Sequence, residues 1–129
     1  MVDIFSISGF YRNIHPVVDI AFGGFFRFGK GIGDSPFEND LFGNLVDSCG
    51  GSTIKGIMAA GNTLNFSKAY DGEEEIIDYD FRFDTERGLW IGGYRIGQDQ
   101  GRAICKTNRC FERLGFENPL SGELSPLLE

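Results

Sequence analysis

The 129-residue sequence has little of several features that would assign it to a familiar class. No stretch approaches the ~18 consecutive apolar residues of a membrane-spanning helix, and the N-terminus lacks the basic and long apolar segments of a secretory signal. Basic residues are also scarce, with 12 Lys and Arg against 19 Asp and Glu, so the net charge is −7. Because affinity for phosphate backbones comes mainly from Lys and Arg, we expect a soluble acidic protein that binds no nucleic acid and does not insert into membranes.

Cysteine and histidine are too few for a disulfide framework or a zinc site. Cys49, Cys105 and Cys110 cannot all pair within the chain, which favours a reducing, cytoplasmic setting. Cys105 and Cys110 could bridge only if the chain turns sharply between them. His15 is the only histidine and there is no close C-x-x-C pair, so we expect neither a metal nor another cofactor. Nothing pairs His15 with a nucleophile, so no catalytic residue is predicted and an enzyme is the less favoured reading.

Glycine and phenylalanine are abundant, with 19 and 13 copies. Glycine suits turns and close backbone approaches, and phenylalanine suits a half-buried pleated surface. Apolar residues alternate with polar ones in eight segments, at 4–11, 17–28, 41–47, 53–59, 63–70, 75–84, 89–96 and 102–107. Turn-length connections and the lack of long helical patterns predict an all-β fold, an antiparallel up-and-down meander that closes into a small barrel. We place this single domain at residues 1–112 and a loose C-terminal tail at 113–129, with one short helical turn near 111–114.

Two stretches interrupt the strand pattern. Gly23 and Gly24 lie in the middle of the second strand, where they suggest a bulge or bend. Residues 29–40 combine three alternating glycines with Pro36 and several carboxylates. We interpret them as a portal loop, because Pro36 and the acidic cluster exclude a phosphate cradle and the spacing is not that of an EF-hand calcium loop.

Three motifs follow one another in the second half of the chain: an F-x-K-x-Y strand at 66–70, a G-x-W-x-G strand at 88–92, and a last strand that opens with Gly101. Their order and spacing resemble the C-terminal half of calycin-like barrels, the superfamily of lipocalins, fatty-acid-binding proteins and avidins. The resemblance covers residues 62–107. It departs from the classical lipocalin pattern, in which the G-x-W motif lies on the first strand.

The resemblance implies a non-enzymatic barrel that binds a small hydrophobic or amphipathic molecule in its lumen. Lys68 or Arg82 would orient the polar end of the ligand. An eight-stranded barrel can hold one small ligand or be filled by its own side chains, and both outcomes stay open. The predicted ligand-binding residues are Phe22, Phe66, Lys68, Tyr70, Tyr79, Phe81, Arg82, Trp90 and Tyr94.

Each polar or aromatic candidate also has a simpler structural interpretation. Lys68 can extend along its strand to water, and Arg82 can lie on a solvated outer face with Asp residues. Trp90 and Tyr94 can be ordinary core residues that pack around Gly92. The alternative function is an interaction or structural module with a filled barrel, which self-associates, for example as a homodimer, through a Phe-rich face that includes Phe25.

Overall fold

Eight antiparallel strands form one closed barrel in the computed structural model, which describes residues 3–29, 40–59 and 62–110. Each strand pairs with the next along the chain, and the last pairs with the first. The predicted all-β meander and its closure are confirmed. Among the described residues, no helix is long and apolar enough to cross a membrane. The strands are β1 (Asp3–Ile14), β2 (Val17–Phe28), β3 (Asp40–Asp47), β4 (Gly50–Ala59), β5 (Thr63–Tyr70), β6 (Ile77–Asp84), β7 (Leu89–Ile96) and β8 (Asp99–Cys110).

The first and last strands are longer than the alternation predicted. β1 and β2 pair over their full lengths, from Asp3 opposite Phe28 to Ile14 opposite Val17, and β8 pairs with β1 as far as Cys110. Backbone pairing with one neighbouring strand extends each of them: residues 12–14 of β1 pair with β2, residues 99–101 of β8 pair with β7, and residues 108–110 of β8 pair with β1, although the polar residues among them break the hydrophobic alternation. The pattern of side chains alone therefore underestimated the length of these two strands.

The glycine pair of β2 does not form a bulge. Pairing with β1 runs without interruption through Gly23 and Gly24, which face Ser8 and Ile7. A Cβ atom at Gly24 would instead collide with the carbonyl oxygen of Asn44 on β3. The expected bulge is thus wrong, and Gly24 serves the close approach of two strands.

The cysteines are not paired. Cys105 and Cys110 are both free and lie in the one continuous strand β8. Five residues of extended chain separate their Cα atoms by roughly 16 Å, far beyond the ~4.4–6.8 Å that a disulfide spans. The predicted helical turn near 111–114, the predicted C-terminal tail at 113–129 and most of the 29–40 portal loop lie outside the described residues.

The barrel has two distinguishable ends. The turns after β1, β3, β5 and β7 lie together at one end, which we name the four-turn end. The other end, where β1 begins and β8 finishes, is the terminal end. Between them, inward-facing side chains form a single core, because neighbouring residues on a strand point to opposite faces. Its buried apolar members are Ile7, Tyr11, Phe22, Phe26, Leu41, Leu45, Ile54, Leu64, Phe66, Ile77, Tyr79, Phe81, Trp90, Ala103 and Cys105.

Candidate functional site

All but one of the predicted ligand-binding residues point into the barrel. The inward-facing ones are buried or packed against the core: Phe22, Phe66, Lys68, Tyr70, Tyr79, Phe81, Trp90 and Tyr94. The exception is Arg82, which is exposed on the outer face of β6. It shares that face with Asp78 and Asp80, as strand alternation requires once Tyr79 and Phe81 point inward. Arg82 therefore does not belong to the interior set.

Lys68 is the most unusual side chain of the interior. It is completely buried, and its Nζ atom lies 3.3 Å from Oδ2 of Asp47, whose side chain is only 1% exposed. Lys68 comes from β5 and Asp47 from the last position of β3, so the ion pair spans the intervening strand β4. The alternative in which Lys68 extends to water is thereby corrected, because its charge is neutralised inside the barrel.

Two tyrosines and a cysteine extend this ion pair into a larger polar cluster. Lys68 Nζ donates to Oη of Tyr70 at 3.0 Å, and the Tyr70 hydroxyl donates to Asp47 Oδ2 at 2.7 Å. The hydroxyl of Tyr11 lies 3.3 Å from that of Tyr70 and 3.9 Å from Sγ of Cys49. We name these five residues, Tyr11, Asp47, Cys49, Lys68 and Tyr70, the Lys68 cluster. Three of its members come from strand ends or turns, which places it near the four-turn end.

Aromatic rings enclose the ammonium group as well. Lys68 Nζ lies 4.8 Å from the ring centroid of Tyr11, 4.6 Å from that of Tyr70 and 5.2 Å from that of Tyr79. At such distances the negative face of a ring attracts a cation, by roughly 2 kcal/mol or more when water is excluded. The cation is held by one carboxylate, one hydroxyl and three rings.

Burial sets the protonation behaviour of the cluster. It lowers the pKa of Lys68, because an ammonium ion loses its hydration, while the Asp47 carboxylate opposes this shift. Burial raises the pKa of Tyr11 to about 12 and also raises the pKa of Tyr70. At neutral pH both hydroxyls therefore keep their protons and can act as donors. The Tyr70 hydroxyl links Lys68, Asp47 and Tyr11 into one hydrogen-bonded network.

The sequence prediction missed Tyr11, Asp47 and Cys49. Asp47 lies in phase with the buried residues Leu41 and Leu45 of β3, and Tyr11 lies in phase with Ile7 of β1. A period-two count continued to the last residue of each strand would have placed both side chains inside. Cys49 is exposed in the turn between β3 and β4, and no sequence signal linked it to Lys68.

Packed aromatic rings fill the middle of the barrel. Tyr79 lies at their centre, with ring centroids 5.0 Å from Phe66, 5.9 Å from Phe81, 5.8 Å from Tyr94 and 6.4 Å from Phe22. Such spacings are those of favourable aromatic pairs. Tyr79 and its neighbours thus form an apolar floor beneath the Lys68 cluster.

Trp90 lies apart from the Lys68 cluster. It is near the start of β7, toward the terminal end. There its ring centroid lies 5.0 Å from that of Phe83, and its Nε1 donates to Thr107 Oγ1 at 3.1 Å. Tyr94 is farther along the same strand, and its ring occupies the space that a Cβ atom at Gly101 would need. Of these two aromatic candidates only Tyr94, whose ring packs against Tyr11 at 5.6 Å, borders the cluster.

The outer surface carries a separate open groove of about 860 Å³ across β4 to β8. Its outward-pointing residues are mostly polar or charged, namely Lys55, Asn65, Ser67, Asp78, Asp80, Arg95, Gln100 and Arg102. The described part of the chain contains no group of three or more His, Cys, Asp or Glu side chains that could hold a metal ion. The buried cluster, rather than the groove, has the more specific geometry.

An eight-stranded up-and-down barrel is consistent with the calycin-like architecture that the motifs suggested, and the F-x-K-x-Y strand supplies two members of the Lys68 cluster. Architecture alone does not define a function, because one fold hosts many unrelated sites. Comparisons of the chain with protein-family models, with curated proteins and with solved structures found no significant match.

Proposed function

We propose that the protein binds one small amphipathic molecule inside its barrel, with the polar end of the ligand at the Lys68 cluster. The observation that supports this most directly is the completely buried ion pair between Lys68 and Asp47. The aromatic floor around Tyr79 would contact the apolar part of the ligand. Binding sites for small molecules commonly combine such apolar walls with a few placed polar groups.

The ion pair is expensive as a purely structural element. Removing each charge from water costs roughly several kcal/mol, and well-packed apolar residues of the same volume are often as stable or more so. The barrel has many such residues at equivalent positions, for example Leu45 on β3 and Phe66 on β5. A role in recognition gives a reason for charges at this place.

The charges also restrict the ligand. Asp47 already neutralises Lys68, so a ligand carboxylate would add an uncompensated negative charge to the interior. An uncharged hydroxyl, carbonyl or amide can instead exchange hydrogen bonds with Tyr70 and Lys68. We therefore expect ligands with an uncharged polar end rather than fatty acids.

The four-turn end offers the entrance. Tyr70 and Tyr94 are only partly buried there, and Tyr94 Oη donates to the backbone oxygen of Arg12 at 2.7 Å. Rotation of these two rings would open a path to the cluster without a change in strand pairing. The interior rings would have to shift to admit the body of the ligand.

The test is recovery of a bound molecule. Protein purified without denaturation is analysed by native mass spectrometry and by solvent extraction, beside the double variant Lys68→Met/Asp47→Leu, which removes both charges together. The exposed residue Lys55 supplies the matched control Lys55→Met. We expect a stoichiometric small molecule in the wild-type protein and the control, and its loss in the double variant. Repeated absence of any bound molecule from wild-type protein, or equal binding by the double variant, would refute the proposal.

Self-association is a second candidate, favoured by apolar side chains on the outer face. Phe25 and Val46 are 61% and 63% exposed on the neighbouring strands β2 and β3. Val46 lies directly opposite Gly23, which has no side chain. Val46 is therefore free to contact the ring of Phe25, its diagonal neighbour across the two strands. Sedimentation velocity over a range of concentrations would test this surface. Association weakened by Phe25→Glu but not by Arg27→Glu, on the same outer face, supports it, and a monomer at all concentrations excludes it.

A further inference from the structure

We propose that the ligand is an aldehyde or ketone and that Lys68 holds it covalently as a protonated imine, with Asp47 as the counter-ion. This inference rests on the proposed function, because it assigns a ligand class to the same site. The geometry that points to it is the contact of one buried amine with both a carboxylate and a phenol, at 3.3 Å and 3.0 Å.

Lys68 differs from the other described lysines in its surroundings. Lys55 and Lys106 are exposed, whereas Lys68 is enclosed by rings and its side chain is completely buried. Burial also lowers the pKa of Lys68, and each unit of lowering multiplies the neutral fraction of the amine about tenfold. The neutral amine is the form that attacks a carbonyl carbon.

The neighbours of Lys68 can move the protons that imine formation requires. Asp47 Oδ2 accepts a proton from the ammonium, and the neutral Nζ forms a bond to the carbonyl carbon. Through the Tyr70 hydroxyl, which is hydrogen-bonded to both Nζ and Asp47, the carbonyl oxygen receives the proton held by Asp47 and then a second proton released by the attached nitrogen. The C–O bond then breaks, the oxygen leaves as water, and the nitrogen lone pair completes the C=N bond.

The overall reaction converts an ammonium ion and a carbonyl compound into an iminium ion and water. Water carries away two of the three ammonium protons, and one stays on the nitrogen. The positive charge is conserved, so Asp47 faces one cation before and after the reaction. The rings of Tyr11, Tyr70 and Tyr79, which now surround the ammonium, can surround a delocalised iminium equally well.

The charge balance distinguishes a carbonyl ligand from other amphipathic molecules. A carboxylate would leave one negative charge uncompensated in the interior, and an alcohol would use the site only as a hydrogen-bond partner. A carbonyl compound uses the amine, the carboxylate and the phenol together. Tyr70 is only partly buried, and its hydroxyl lies 3.0 Å from the Lys68 amine. A ligand that enters from the four-turn end would therefore contact Tyr70 before it reaches the amine.

The test uses cinnamaldehyde as the probe and sodium cyanoborohydride to trap imines on the folded wild-type protein near neutral pH. Peptide mass spectrometry gives the labelling of each lysine relative to the same protein unfolded in urea, which corrects for intrinsic reactivity. We expect the corrected labelling of Lys68 to exceed that of Lys55 and Lys106 severalfold, because a lowered pKa leaves a larger fraction of the amine neutral. Labelling of the two exposed lysines without Lys68 would overturn the inference.

A spectroscopic arm tests the role of Asp47. A protonated imine of cinnamaldehyde absorbs at a longer wavelength than the free aldehyde, and the band disappears when the imine loses its proton. In the variant Asp47→Asn we expect this loss at lower pH than in the wild-type protein, because the counter-ion is gone. An unchanged pH dependence would remove Asp47 from the proposal, and the inference with it. The double variant Lys55→Arg/Lys106→Arg is the control and should keep the band.

Cinnamyl alcohol separates failure of this inference from failure of the proposed function. It has the same apolar body but cannot form an imine. Binding of the alcohol, with no Lys68 adduct from the aldehyde, would leave the proposed function standing and refute covalent attachment. An absence of both alcohol binding and the adduct would count against the covalent inference and against interior binding of this ligand class.

Discussion

Asp47 and Lys68 face each other at 3.3 Å from strands that are not neighbours, with β4 between them. Their pairing ties β3 to β5 through side chains inside the barrel, independently of the backbone ladder. Only 1% and 0% of the two side chains reach solvent, so neither charge can turn to water if its partner is lost. The proposed ligand choice and the proposed proton transfer rest on the same pair, so variants of these two residues test stability and function together.

Removal of one partner should therefore be far more damaging than removal of both. We expect Lys68→Met alone to lower the free energy of unfolding by about 3–5 kcal/mol, because it leaves Asp47 buried without a counter-charge. The double variant Lys68→Met/Asp47→Leu should lose much less. Urea denaturation followed by Trp90 fluorescence measures these two variants and the single variant Asp47→Leu. A double variant as unstable as the sum of the two single variants would contradict the pairing.

Alkaline pH should unfold the protein before its tyrosines ionise individually. The pKa of each of the four tyrosines is raised, chiefly by burial, and that of Tyr11 reaches about 12. The unfolded chain, with its tyrosines near 10.0, loses protons first, so stability falls as the pH rises above that value. Lys68 changes the stability in the opposite direction. Its pKa is lowered in the folded protein, so just below the ordinary pKa of 10.5 the unfolded chain binds more protons, and this contribution to stability rises with pH.

Absorbance at the tyrosinate band, recorded beside circular dichroism during a pH titration, checks this expectation. The band should appear together with the loss of β structure rather than before it. Ionisation of several tyrosines near pH 10 in a protein that stays folded would show that the interior rings are accessible to water.

The sequence was enough to predict the fold because most of the strands repeat one simple signal, the alternation of apolar and polar residues. Ile77, Tyr79 and Phe81 alternate with polar residues without error, and the structure places them inside. The same alternation placed Arg82 on the solvent-facing side of its strand. Arg82 was nevertheless included among the predicted ligand-binding residues because a charged group was expected to orient the ligand. The side of the sheet was thus predictable, while the function assigned to a polar side chain was not.

The Lys68 cluster shows where such reasoning ends. Lys68, Asp47 and Tyr11 lie on three strands that are far apart in the sequence, and only barrel closure and register bring them together. A period-two pattern gives the face of a residue but not its height in the barrel. The predicted meander did contain one such indication, because Trp90 near the start of the seventh strand and Lys68 near the end of the fifth must lie toward opposite ends.

Glycine substitutions should distinguish the positions where strands approach closely. A Cβ atom at Gly92 would collide with the carbonyl oxygen of Asp80 on β6, whereas one at Gly23 meets its nearest neighbour only at 3.7 Å. We expect Gly92→Ala to cost at least ~1–3 kcal/mol, as overpacking does, and Gly23→Ala to stay within about 0.5 kcal/mol of the wild-type protein. Thermal and urea unfolding of the two variants, both in β strands, provides the comparison. Equal tolerance at both positions would contradict the register between β6 and β7.

Thiol reactivity should separate two cysteines that the sequence alone treats alike. Cys49 is exposed in its turn, whereas Cys105 is buried, and burial raises the pKa of the Cys105 thiol. Because the thiolate is the reactive form, we expect Ellman's reagent to modify Cys49 rapidly and Cys105 only when the barrel opens. The experiment uses the variant Cys110→Ser, in which Cys49 and Cys105 are the two remaining thiols. A further Cys49→Ser change should abolish the fast phase. Rapid modification of Cys105 in the native protein would mean that water reaches the inner face of β8, where a closed and packed barrel excludes it.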